Sequence, residues 1–312
     1  MNIHQAARHI LMVRPASFYV NRETSLTNRF QHQPDNATIW EDVHAAALAE
    51  FDTMVDLIRQ QRINVMVVDD TPEPRKPDAV FPNNWVSFHP DGRIILYPMM
   101  ATNRRTEARD DIVEKIKADF TISEVIDLRN EAIHGCYLEG TGSLVFDYPH
   151  QLIYASRSPR TDEGLAKKVA DILGYRLILF DAVDDQSTPV YHTNVVMSIG
   201  SRFAIICLDA IPSDTDQEVL LETLATTGKK VVAISYEQMK SFAGNCLEVI
   251  NAEGEPVVIM SQTAFQSLLP GQVDAISRFA DVLPVDVSTI EKYGGGSVRC
   301  MMAGIYLPIR AR

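Results

Sequence analysis

Short apolar runs of strand length alternate along the chain with stretches whose apolar residues recur every three to four positions, and the succession repeats. Each unit predicts strand, tight turn, strand, helix, strand. The first has Ala79 to Phe88, a Pro90-Asp91-Gly92 turn, Arg93 to Tyr97, a helix over Arg105 to Ala118, and Glu124 to Leu128. The second has Gly142 to Phe146, a turn at Asp147-Tyr148-Pro149, Gln151 to Ala155, a helix near Asp162 to Leu173, and Arg176 to Phe180. The third has His192 to Ile199, a Gly200-Ser201 turn, Phe203 to Leu208, a helix over Asp216 to Thr226, and Lys230 to Ile234. The fourth has Cys246 to Asn251, a Glu253-Gly254 turn, Pro256 to Met260, helical turns over Thr263 to Phe279, and Val282 to Val287.

A fifth unit emerges when the chain is closed on itself. Ser297 to Tyr306 supplies its first strand, Ile10 to Arg14 its second, Glu41 to Gln60 its helix and Asn64 to Asp69 its third. A repeat split across both termini is the signature of a cyclic array cut inside a unit, and radial repetition also protects sheet edges. The expected architecture is therefore α/β: one domain, residues 1–312, forming a fan of five ββαβ units around a central channel. Phe18 to Thr38 is polar and irregular, a loop long enough to serve as a lid.

Composition narrows the class. The 312 residues are 46% hydrophobic and 22% charged, a globular balance. The longest apolar runs are strand-sized and do not reach bilayer length. Met1 to His9 is polar and Ile10 to Val13 is too short for a signal peptide, so the expected location is cytoplasmic. A net charge of −12 disfavours nucleic acid and anionic membrane as partners. The four cysteines lack CxxC spacing, which argues for free thiols and against a zinc site. No Walker loop, dinucleotide fingerprint or metal-ligand cluster occurs, and no cofactor is expected.

In such a fan the start of each first strand faces the channel. Those positions read Asp78 with Asn83-Asn84, Glu139, His192 with Asn194, Asn245 and Cys300, where buried strands would favour Val or Ile. A thiol, an imidazole and two carboxylates form a chemical set. Cys300 follows Gly294-Gly295-Gly296-Ser297, a turn that permits close ligand approach, and Arg299 beside it is expected to favour the thiolate. His192 suits acid and base work near neutral pH, with Glu139 orienting its ring. Asp78 suits a cationic or ureido group, and Arg104, Arg105 and Arg160 suit a substrate carboxylate. His89 and His150 read as turn residues.

These residues resemble the guanidino-group modifying enzymes, or penteins: arginine deiminase, dimethylarginine dimethylaminohydrolase, agmatine deiminase and the amidinotransferases. Gly295-Gly296-Ser297-Val298-Arg299-Cys300-Met301 looks like their nucleophile motif and Tyr191-His192-Thr193-Asn194 like their His motif. Leu138-Glu139-Gly140-Thr141-Gly142 is similar to their Glu-Gly-Gly-Asp. The resemblance implies a five-bladed α/β propeller with Cys300, His192 and Glu139 catalytic. It implies that Asp78 grips the substrate nitrogens and that Arg104 and Arg160 meet the amino-acid end. Asn83, Asn84 and Asn194 are expected at the substrate from their place in the channel, and Phe18 from its place at the start of the lid-like loop. Phe81-Pro82-Asn83-Asn84-Trp85 and Met12-Val13-Arg14-Pro15 look more like a citrulline-utilisation subgroup.

Three departures remove negative charge. Asn83-Asn84 stands where dimethylaminohydrolases carry Glu-Asp, Asn194 where arginine deiminase carries Asp, and Gly-Thr-Gly replaces Gly-Gly-Asp. Each carboxylate lost weakens the hold on a guanidinium by about 1.5 to 3 kcal/mol, whereas amides suit a neutral ureido group. The expected activity is thus cofactor-free hydrolysis of a carbon–nitrogen bond through a covalent Cys300 adduct, with citrulline giving ornithine, ammonia and carbon dioxide. Arginine deiminase or dimethylaminohydrolase activity, amidino transfer, and a non-catalytic binding protein of the same fold are the alternatives. A homodimer is the family-level expectation.

Overall fold

The computed structural model describes residues 3–34 and 38–310; part of the Phe18 to Thr38 loop, residues 35–37, lies outside the described residues. Within them are five three-stranded sheets. In chain order the strands are β1 (His9–Arg14), β2 (Asn64–Asp69), β3 (Val86–Phe88), β4 (Arg93–Leu96), β5 (Glu124–Asp127), β6 (Val145–Asp147), β7 (Leu152–Arg157) and β8 (Arg176–Asp181). They continue with β9 (Met197–Ile199), β10 (Phe203–Ile206), β11 (Lys230–Ala233), β12 (Leu247–Ile250), β13 (Pro256–Ser261), β14 (Asp281–Val285) and β15 (Ala303–Ile305).

Every sheet follows one rule: its middle strand pairs antiparallel with one neighbour and parallel with the other. The antiparallel pair needs only a tight turn, whereas the parallel partner needs a crossover long enough for a helix. Helix Glu163–Leu173 is one such crossover. Asp162 caps it by accepting the Leu165 N–H, and Gly174 ends it at φ +71°. Its Leu165, Ala166, Val169, Ala170 and Leu173 recur on one face and pack on Ile153 and Ala155 of β7. The sheet split across the termini is present: β15 runs antiparallel to β1 and β1 parallel to β2, with Leu11 opposite both Ala303 and Met66.

The second and third strands of each unit form where periodicity places them. Of the first strands only the fourth, Leu247–Ile250, forms as expected. In the others Pro82–Asn84 forms a short 3-10 turn, Gly140–Ser143 and Thr193–Val196 single helical turns, and residues 298–301 a turn, and a strand of only three residues follows each. These segments carry the polar residues Asn83, Thr141 and Asn194, which a fully buried ladder could not satisfy. A turn satisfies its backbone locally and turns the side chains inward. The helix expected over Thr263 to Phe279 breaks into Gln262–Ser267 and Pro270–Ser277, because Pro270 starts a new helix. No helix among the described residues is long and apolar enough to cross a membrane.

Candidate active site

Cys300 sits at the end of a turn that its own backbone closes: its N–H donates to Ser297 O at 2.9 Å. Ser297 Oγ in turn donates to buried Glu291 at 2.6 Å. Gly295, at φ +63°, leaves its carbonyl to the Tyr191 hydroxyl at 2.6 Å and to Asn28 Nδ2 at 2.9 Å. Cys300 is 3% exposed. The polar groups nearest its sulfur are two amides, Asn245 Nδ2 at 3.4 Å and Asn194 Nδ2 at 3.5 Å. Asn245 also donates to Asn194 O at 3.0 Å and accepts the Arg299 N–H at 3.1 Å.

His192 precedes the helical turn Thr193–Val196, and Glu139 precedes the turn Gly140–Ser143. Their side chains meet at 2.8 Å, His192 Nε2 to Glu139 Oε2. Gly140, at φ +46°, lets its turn pack against the Asn83–Asn84 backbone, where a Cβ would fall 2.4 Å from Asn83 O. Burial by itself would raise Glu139, but Arg160, His192 and Arg104 outweigh it and hold the carboxyl well below the usual range. Burial lowers His192 to about 4 against the opposing pull of Glu139. The ring is therefore neutral at pH 7, with its Nε2 proton given to Glu139. Nδ1 is the free, basic nitrogen, and it has no hydrogen-bond partner among the described residues.

A small cavity of about 10 Å³ joins these groups, with room for a single water molecule. Asp78, Asn84, Arg104, Arg160, His192 and Cys300 line it, with Phe81, Tyr191, Thr24, Asn28 and Gly294 to Gly296. The loop after Phe18 closes it. Asn21 Nδ2 donates to Asp78 Oδ2 at 2.8 Å, Thr24 Oγ1 to the same oxygen at 3.3 Å, and Arg160 Nη2 to Thr27 Oγ1 at 2.8 Å and Thr24 O at 3.0 Å. An amino acid needs a pocket of roughly 300 Å³ or more, so this loop has to withdraw to admit one.

Several sequence-predicted residues land elsewhere. Asn83 is fully buried behind the cavity wall, where its amide oxygen accepts from Asn84 Nδ2 at 2.9 Å. Phe18 packs in the core with Phe81 and is not in the cavity lining; its ring lies against Gly294. Arg299 does not face the thiol. Its Nη1 donates to Met302 O at 2.8 Å, and the side chain lines a separate cavity with Gln5, Tyr148 and Tyr306, because successive residues of a tight turn project to different sides. Asn194 stands behind Cys300, in the wall of that second cavity.

Arg104 is more heavily engaged than expected. Its Nε and Nη2 grip Glu107 at 3.0 and 2.9 Å, Nη1 donates to Asn84 Oδ1 at 3.0 Å, and Asp78 and Glu139 lie at 3.5 and 3.7 Å. Sequence reasoning missed Glu107, although its i,i+3 spacing from Arg104 was there to see. It also missed Asn21, Thr24 and Thr27 of the covering loop. Among the described residues no group of three or more His, Cys, Asp or Glu is arranged to hold a metal.

The chain is similar in sequence and fold to known proteins. Residues 14–307 match the family described as N,N dimethylarginine dimethylhydrolase, eukaryotic. No curated protein matches. Among solved structures, the N-terminal domain of ArgZ, a cyanobacterial arginine dihydrolase crystallised with its substrate, superposes with a TM-score of 0.74 at 15% identity, covering 97% of this chain and 99% of that one. AgrE with L-arginine gives 0.74 at 16% identity, this chain spanning 41% of its length. A dimethylarginine dimethylaminohydrolase adduct gives 0.65 at 18%, covering 95% and 99%. With nearly its whole length matched, the chain belongs to the N,N dimethylarginine dimethylhydrolase family, and with it to the pentein superfamily of guanidino-modifying hydrolases.

Proposed function

We propose that the chain is one cofactor-free cysteine hydrolase domain, its five sheets closed into a propeller, and that it converts citrulline to ornithine, ammonia and carbon dioxide. Cys300 adds to the ureido carbon after its proton passes to His192 Nδ1. His192 returns that proton to the departing ammonia, leaving a thiocarbamate on sulfur. Water activated by neutral His192 then cleaves the carbon–sulfur bond, and the carbamic acid formed loses carbon dioxide. Glu139 holds the ring and its tautomer. Asp78 takes the substrate nitrogens, Asn84 the ureido group, and Arg160 the α-carboxylate once Thr27 releases it; Arg104 fixes Asp78 and Asn84.

The observation that carries the reading is the polar lining of the cavity. The amides of Asn194 and Asn245 reach Cys300 Sγ but do not line the cavity; within its lining Asp78 is the one carboxylate, beside the amides of Asn28 and Asn84, a set that suits a neutral ureido group. A guanidinium, with a full charge and more N–H donors, would call for more than one carboxylate acceptor. The test is ammonia and ornithine release by purified protein from L-citrulline, L-arginine and dimethylarginine, beside Cys300→Ala. Ornithine from citrulline alone, lost in Cys300→Ala, is the expected outcome; turnover of only the guanidino compounds refutes it.

One observation favours arginine or its methylated forms: the buried charges around the cavity sum to a net negative, which a cationic side chain would neutralise. Turnover of arginine to citrulline, with citrulline untouched, is what that reading requires.

A further inference from the structure

The ionisable side chains packed around the cavity do not balance. Asp78, Glu107 and Glu139 are each at most 3% exposed, and Arg104 and Arg160 are at most 2% exposed. Three carboxylates against two guanidiniums leave one negative charge, and His192 is neutral. An unbalanced charge in so dry a place is costly and draws in either a proton or a cation. Asp78 Oδ1, in the cavity wall, is buried and has no partner among the described residues, so one acceptor there is ready for a donor from a ligand.

We infer that Glu107 determines specificity by coupling ligand charge to a single proton, held by the Glu107–Arg104–Asp78 cluster with a neutral ureido ligand and released with a cationic guanidino ligand. Glu107 does not line the cavity and acts through Arg104, whose guanidinium joins it to Asp78. Ionised Glu107 takes up most of the Arg104 charge and leaves Asp78 to pair with a cation. Protonated Glu107 frees Arg104 to neutralise Asp78, and the site then suits a neutral side chain.

The groups facing Glu107 are Arg104 on its own turn, Asp78 from the segment before Pro82, and Glu139 from the next unit. Burial pushes Glu107 up to about 8 against the opposing charge of Arg104, with Asp78 and Glu139 adding to the rise. Asp78 is raised too, mainly by burial, whereas Glu139 is held down by Arg160 and His192. The proton therefore resides on the Glu107 and Asp78 side of the cluster and leaves Glu139 ionised for His192.

The coupling rests on the proposed ligand site, and two measurements keep the two ideas apart. In ligand-free protein at pH 7, infrared difference spectra of wild type against Glu107→Gln should show the carbonyl stretch of a protonated carboxylic acid that the variant lacks. No such band overturns the coupling whether or not any amino acid binds. Calorimetry on Cys300→Ala, in buffers of different ionisation enthalpy, then counts protons. L-arginine should release close to one proton more than L-citrulline, and its affinity should rise up to tenfold per pH unit between pH 6 and 7. In Glu107→Gln on that background the difference should vanish, with arginine binding weakened more than citrulline binding. Equal proton counts for the two ligands overturn the coupling, as does release that persists in Glu107→Gln. Binding of neither ligand, with the infrared band present, overturns the functional reading and leaves the protonated cluster standing.

Discussion

Gly142 has an ordinary backbone, so its lack of a side chain serves space and not conformation. A Cβ placed there would lie 2.7 Å from both His192 Nδ1 and Asn84 Nδ2, and 2.8 Å from His192 Cε1. Ordinary contact begins near 3.4 Å, so in Gly142→Ala the imidazole has to retreat by about 0.7 Å. It cannot do so freely, because the 2.8 Å bond to Glu139 anchors its far nitrogen. Overpacking of this kind costs about 1 to 3 kcal/mol of stability, and a misplacement approaching 1 Å costs roughly 100-fold in rate. Steady-state kinetics on whichever substrate is turned over, with a thermal melt of the same sample, checks both. The expected result is a folded protein with kcat down 30- to 300-fold. A Gly142→Ala enzyme with wild-type kcat would refute the claim that the free nitrogen of His192 faces the reacting group from this position.

Asn245→Ala should lower kcat about 10- to 100-fold with KM within roughly twofold, the effect of losing one hydrogen bond to a charged sulfur; a raised KM at unchanged kcat would refute this. Glu139→Gln leaves Arg160 and the His192 tautomer without their carboxylate, so kcat should fall by about 10³ or more and stability by about 3 kcal/mol, read by kinetics and urea unfolding. His89 is buried against Ser87 Oγ at 2.7 Å, and burial lowers it to about 3. Its unfolded form takes up a proton below pH 6.5 that the folded form refuses. The stability of wild type relative to His89→Gln should therefore drop by about 2 to 3 kcal/mol between pH 6.5 and 4.5; a constant difference in urea midpoints would contradict it.

What sequence could and could not show divides along physical lines. Strands such as β7 and β13 are continuous apolar runs between turn residues, and their neighbours were placed correctly because burial writes itself into composition. The register of the units likewise brought Asp78, His192 and Cys300 to one cavity. The segments entering the cavity were misread as strand, since a one-turn helix of four residues has no period to detect. Directions within a turn are equally silent: nothing in Val298-Arg299-Cys300 says that Arg299 faces the opposite way. Phe18 was assigned to the ligand as the start of the lid-like loop, yet a phenyl ring beside glycines packs as core. The covering loop was legible as a loop, but its bonds from Asn21 and Thr24 to Asp78 depend on tertiary placement alone. The charge argument at Asn83, Asn84 and Asn194 counted lost carboxylates and missed Glu107, which returns one through Arg104.

The sheet formed from both ends of the chain has a consequence for folding. β15 pairs with β1 across almost the entire length of the chain, and Cys300 lies only three residues before β15. Loop closure over that separation is the slowest contact the topology demands, and on a ribosome it has to wait for the last strand to be made. His192 and Glu139 can meet as soon as their two units dock, so the base should be assembled well before the nucleophile joins it. A circular permutant opened at the exposed Gly254 turn, with the old ends linked, would turn that final pairing into a local one and bring the thiol to the imidazole early.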